Sequence, residues 1–205
     1  MEIGLGDELT VRRAFAYPLQ NALARREVLR GALLLLLPGV GWLLNMGHRI
    51  QMVHQMQHGR EAWPAWHDYP RLLRSGAVTL LGMIYYYAPG LGFALLAWLR
   101  HLPMLWWPAV PLLVAATLAI PGYMTRYCYA FDAKEIFNPA RALQRALEGG
   151  TGYWKAWGIA VSALVLSFGG LLLLGVGFLV TSVWFWQVAG FSFACTFSAR
   201  MNRAA

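Results

Sequence analysis

The run AWGIAVSALVLSFGGLLLLGVGFLVTSVWFWQVAGFSFACTFSA, residues 156–199, contains no Asp, Glu, Lys or Arg. A helix rises 1.5 Å per residue and a bilayer's hydrocarbon core takes roughly 20 residues to cross, so this run is long enough to cross twice. Two further charge-free runs, Ser75–Leu99 and His101–Thr125, are each long enough to cross once. Composition agrees: 59% of the 205 residues are hydrophobic and 13% charged, against roughly 45–50% and 25% in soluble domains. The expectation is an all-α, multi-span membrane protein in one integral domain.

The formal net charge of +8 then points to an anionic membrane surface, with no nucleic-acid partner expected. Arginines and lysines gather at the ends of the apolar runs, where they reach toward headgroups and set orientation. Gly31–Gly47 is a shorter apolar run with Pro38-Gly39 near its middle, so it reads as a kinked or re-entrant segment, with a five-span chain as the alternative. If it re-enters, Arg12, Arg13, Arg25, Arg26 and Arg30 share a side with the basic residues of 48–74 and 126–155, leaving Arg100 alone opposite. The positive-inside rule favours that arrangement. The predicted layout is an amphipathic segment 1–30, the re-entrant segment 31–47 and a cytoplasmic connection 48–75. Spans are then placed at 76–98, 104–126, 154–174 and 178–198, with an amphipathic connection at 127–153 and both termini cytoplasmic.

TVRRAF superficially matches a twin-arginine signal, but Pro18, Asn21 and the Arg25-Arg26 pair interrupt the stretch where its apolar region would lie. A cleaved leader is therefore not expected. PLQNALARREVLRG reads instead as an amphipathic helix lying at the headgroups. In NPARALQRALEGG, Asn138 is placed as N-cap, Pro139 as first helical residue and Gly149-Gly150 as the stop. Arg141, Arg145 and Glu148 share one face there, with Leu143 and Leu147 on the other. Trp98, Trp106, Trp107, Trp154 and Trp157 flank the spans, where indoles favour the interface. Cys128 and Cys195 are expected as packed thiols.

GHRIQMVHQMQHG, residues 47–59, is the obvious candidate for a metal or cofactor site. On a helix His48, Met52 and Met56 share one side, and His54 and His58 fall nearly opposite. Ligands must converge in threes or fours, so His54 and His58 are weak metal candidates at most, and no cofactor is expected. The alternative is a polar helix end with its methionines toward protein and its histidines toward water. His67-Asp68 with Glu61, and Asp132 with Glu135, are the acid–base candidates, but no nucleophile motif accompanies them, so no enzyme is expected. No charge lies inside the spans, whereas coupled transporters usually place one there. Pro89-Gly90 and Pro121-Gly122 are candidate kinks, with Pro38 and Gly39, and are able to unwind spans around a solute. Gly158 with Ser162, and Gly190 with Ala194 and Ser198, align small residues for close helix packing.

The ordered positions Gly47, Gly59, Pro64, Trp66, Asp68 and Gly76, with AYP at 16–18, YYYAP and YAF…ALQRAL…GYW, resemble domain of unknown function 4013. That is a family of small prokaryotic membrane proteins, and the likeness covers most of the chain. The resemblance implies the membrane class and a structural corner at Pro64, Trp66 and Asp68, and it carries no activity. In that corner proline and tryptophan would seat the chain at the interface and Asp68 would cap YPRLLRSG. The resulting expectation is a prokaryotic cytoplasmic-membrane protein acting by helix contacts, as an accessory subunit or assembly factor. Its partners would be the lipid bilayer and other membrane subunits or copies of itself. The alternatives are a permease or lipid-handling component, and a histidine ligand to a pigment, haem or metal in a larger assembly.

Overall fold

The structure is a computed structural model that describes residues 4–6, 8–173 and 175–204, with backbone only from 199 to 204. Among the described residues every regular element is helical: α1 Val11–Ala16, α2 Ala22–Leu34, α3 Val40–Gln57, α4 Tyr69–Leu99, α5 Trp106–Ala130, α6 Pro139–Glu148, α7 Gly150–Phe168 and α8 Val176–Ala204. Four stretches are long and apolar enough to cross a membrane: Tyr69–Leu99, Pro103–Ala130, Gly150–Leu172 and Val176–Ser198. The protein is thus an all-α, multi-pass membrane protein with four candidate spans. Two compact units divide the chain, Met1–Ala77 with Gly149–Ala205, and Val78–Glu148.

In the first unit α7 and α8 form a tight hairpin. A Cβ on Gly170 would lie 2.7 Å from the backbone of Gly177, so only glycine permits this approach. The hairpin is stitched by Thr181 donating to the Ser167 carbonyl (2.7 Å) and Thr196 to the Gly152 carbonyl (3.2 Å). Helices α1, α2 and α3 pack on α8. Phe15 meets Trp184 edge to face, and the Trp184 indole N–H donates to the Phe15 carbonyl. Gly31 faces Val183, Gly190 faces Arg49 and Met52, and Gln57 donates to Ser198. Gly190, Ala194 and Ser198 therefore lie along the contact with α3. Cys195 here, and Cys128 in the second unit, are buried.

The run 31–47 is a helix–turn–helix. The α2 helix ends at Leu34, Gly39 turns at φ +73°, and α3 starts at Val40. The two helices run back along each other, with the Asn45 amide donating to the carbonyls of Gly31 and Gly41. Neither helix is among the four candidate spans. In the N-terminal segment Asn21 caps α2 by accepting from the Ala24 N–H (2.7 Å). Ala14, Tyr17, Ala24 and Val28 turn inward rather than toward lipid.

In the second unit, helices α4 and α5 continue through Pro89 and Pro121 without unwinding. The glycine of each Pro-Gly pair serves close packing. A Cβ on Gly90 would lie 2.8 Å from Leu113, and one on Gly122 2.5 Å from the Ala142 carbonyl. Tyr86 stacks on Tyr123 and donates to the Ile136 carbonyl (2.9 Å). Asn138 caps α6 through the Arg141 N–H. The inner face of α6 is Ala142 and Ala146, while Leu143 and Leu147 are exposed. Helix α5 approaches so closely that only alanine fits between, and the leucines are left outside.

Candidate functional site

The α2 sequence places Ala24, Glu27, Val28 and Gly31 at i, i+3, i+4 and i+7, one helix face. All four are buried, so a carboxylate sits on the inward stripe. On α3, Leu44, His48 and Met52 repeat at spacing four, and all three are buried. The two stripes meet: His48 Nε2 lies 2.9 Å from Glu27 Oε2. Facing a carboxylate oxygen, Nε2 carries the proton and donates it.

The connection between α3 and α4 completes the enclosure. The Ala65 N–H donates to the same Glu27 oxygen (3.0 Å), and the Trp66 indole N–H donates to the Glu27 backbone carbonyl (3.0 Å). Trp66 stacks on the His48 ring at 4.1 Å and Trp63 lies nearly parallel to it at 5.7 Å. Beyond Trp63 the aromatic column continues through Tyr17 to Phe191 of α8. Glu27 thus ties α2, α3 and the 58–68 connection at one buried point. Unpaired burial of these groups would cost several kcal/mol, which explains why each donor is aimed at the carboxylate or the α2 backbone.

Burial would raise the Glu27 carboxyl, but the His48 and Ala65 donors outweigh it and hold it below its ordinary value. Burial also pushes His48 down, and this exceeds the opposing pull of Glu27, while Arg30 and His67 lower it further. The stable form is a carboxylate accepting from a neutral imidazole. Chemically the pair is able to take up a proton, but its hydrogen bonds are closed within the protein.

Two expectations about this region are corrected. His48 does not face water; it is 1% exposed, because its helical phase follows Leu44 and Met52 rather than His54 and His58. Trp66 is not an interfacial anchor; it is buried against His48, and with Leu44 and Leu72 it forms a small apolar core.

The other candidates are placed as follows. The rings of His54 and His58 lie 4.2 Å apart, and among the described residues no three His, Cys, Asp or Glu are grouped to hold a metal. Asp68 accepts from the Arg71 N–H and caps α4, while His67 and Glu61 are exposed. Asp132 accepts from the Lys134 N–H, and Glu135 pairs with Arg145 at 2.6 Å. Gly59 closes α3 at φ +66°, and Pro64 is exposed. Gly47 and Gly76 mark a crossing of α3 and α4: a Cβ on Gly47 would lie 2.0 Å from the Leu72 carbonyl oxygen, and one on Gly76 2.0 Å from that of Leu43.

Against protein-family models, curated proteins and solved structures, the chain finds no match. The reading of the site rests on its residues. Glu27 was absent from the sequence-based candidates, although an acid in phase with Ala24, Val28 and Gly31 was a visible signal.

Proposed function

We propose that this integral membrane protein works through helix contacts, as an accessory subunit or assembly factor of a larger membrane complex. One contrast carries the reading. The small-residue line Gly190, Ala194, Ser198 lies against α3, whereas Gly158 and Ser162 on α7 face outward. A Cβ on Gly158 would meet nothing within 4 Å, and the Ser162 hydroxyl turns back to the Gly158 carbonyl at 2.8 Å. Lipid offers helices no hydrophobic drive to associate, so contacts inside a bilayer rely on close backbone approach over small residues. Gly158 and Ser162 leave such a surface free on a span. The test is gentle purification from native membranes with quantitative mass spectrometry, wild type against Gly158→Leu. The expected result is a stoichiometric set of membrane subunits that the variant loses while its own thermal stability is not lowered. A protein that arrives alone and monomeric, or a variant that keeps every partner, would sink the proposal.

The same reading places the chain in a prokaryotic cytoplasmic membrane with both termini cytoplasmic. An even number of spans returns the chain to its starting side, and the basic clusters then share that side, with Arg100 opposite. Reporter fusions after Ala205 and within the 100–102 link should report cytoplasmic and external positions, respectively. The reverse pattern would reject this orientation.

A further inference from the structure

The outward face of α2 is divided along its axis. Ala24, Glu27, Val28, Gly31 and Ala32 point inward, and everything between them points out. Arg25, Arg26 and Arg30 take the first turns of the outward face. Leu29, Leu33 and, past the helix end, Leu36 and Leu37 take the rest, with Leu33 67% exposed. At 100° per residue, Arg25 and Leu29 lie about 40° apart, and Arg26, Arg30 and Leu33 within about 60°. Each arginine therefore heads a strip of leucine. Among the described residues no carboxylate is in ion-pair distance of these three arginines. The Arg30 guanidinium is held over the Tyr69 ring and donates to its hydroxyl.

We propose that this face of α2 binds an anionic phospholipid, with the arginines on the headgroup phosphate and an acyl chain along Leu29, Leu33 and Leu37. An exposed cationic face with no internal carboxylate is free to attract the anionic headgroups of a membrane surface. The leucine strip continuing from it suits the hydrocarbon of the same molecule, which a free phosphate lacks. Guanidinium groups bind phosphate oxygens two at a time, so arginine fits this role better than a point charge would. The Arg30–Tyr69 contact orients one of the three toward α4, so that the headgroup bridges the two helices of this unit.

The experiment uses the full-length protein in a zwitterionic detergent. Phosphatidylglycerol, phosphatidylcholine and inorganic phosphate are added separately, with thermal midpoint and native mass spectrometry as readouts. Phosphatidylglycerol is expected to raise the midpoint and stay bound, and the other two to do neither. A basic residue at an anionic surface is worth roughly a fivefold change in affinity, so Arg25→Gln/Arg26→Gln should weaken phosphatidylglycerol about 25-fold. The control Arg100→Gln/Arg141→Gln, with the same change in net charge, should leave it unchanged. Leu33→Ser/Leu37→Ser should weaken it while keeping the preference for the anionic lipid. All of these side chains are exposed, so unliganded midpoints are expected to match wild type and confirm folding. Equal weakening by the control, equal binding of phosphatidylcholine, or competition by phosphate at the same concentrations would overturn the proposal.

Discussion

Glu27→Ala is expected to destabilise the first unit by roughly 2–5 kcal/mol, because it strands buried donors that have no alternative acceptor. The substitution removes the oxygen that receives both the His48 Nε2–H and the Ala65 N–H. It leaves the Trp66 indole bond, which goes to the backbone. Glu27→Gln keeps an acceptor oxygen of the same reach and is expected to lose about half as much, since neutral acceptors bond less strongly than ionised ones. Thermal unfolding followed by tryptophan fluorescence checks this directly, with Trp63 and Trp66 flanking His48 as built-in probes. Equal midpoints for wild type and Glu27→Ala would show that the knot does not hold the connection in place. Acid should act on the same residues. Both folded values lie below the ordinary ones, 6.5 for His48 and 4.5 for Glu27. The unfolded chain therefore binds more protons in each window, and stability falls as pH falls. The loss begins as pH drops below about 6.5, where His48 must stay neutral to remain folded, and a second loss begins below about 4.5 as Glu27 resists protonation. His48→Phe should abolish the upper loss and shrink the lower one, because Glu27 then lacks its strongest donor.

The spans were legible because absence of charge over a hydrocarbon thickness is a local property of sequence. So were the Asn138 and Asp68 caps, where a side-chain oxygen bonds a backbone N–H three residues on. The buried knot was not legible, and the reason is physical. Whether Glu27 faces lipid headgroups or protein depends on what packs against α2, and α8 lies at the other end of the chain. Reading 18–31 as a free amphipathic helix counted Glu27 among its charges; only the phase with Ala24, Val28 and Gly31 distinguishes it. His48 misled in a similar way. Its phase with Met52 was visible, but the polar helix-end reading turned every histidine toward water, whereas that phase carries His48 inward with Leu44 and Met52. The Pro-Gly pairs show the limit of single-residue rules. The glycine beside each proline admits a neighbour, Leu113 at Gly90 or Ala142 at Gly122, which no local rule foretells.

Gly47→Ala and Gly76→Ala should each cost about 3 kcal/mol or more, at or above the top of the usual range for overpacking. A methyl at either position meets not a side chain that rotates away but a carbonyl oxygen of the opposing helix, 2.0 Å away in both cases. Ordinary contact begins near 3.4 Å, so α3 and the first turns of α4 must move apart by more than 1 Å. Leu72, wedged against Leu44 and Trp66, would move with them, and the enclosure of His48 would loosen. The two costs should not add. Once one methyl has parted the helices, much of the room for the other exists, so the double variant is expected to fall well short of the sum. Gly92→Ala and Gly158→Ala serve as contrasts, because a Cβ at either meets nothing within 4 Å. Replacing a helical glycine where nothing clashes gains roughly 0.5–1 kcal/mol of backbone entropy. Opposite signs at the two sets of glycines would show that Gly47 and Gly76 are kept for the crossing. Strict additivity of Gly47→Ala and Gly76→Ala would mean that each acts on its own helix, and the crossing would then play no part in holding α4 to α3.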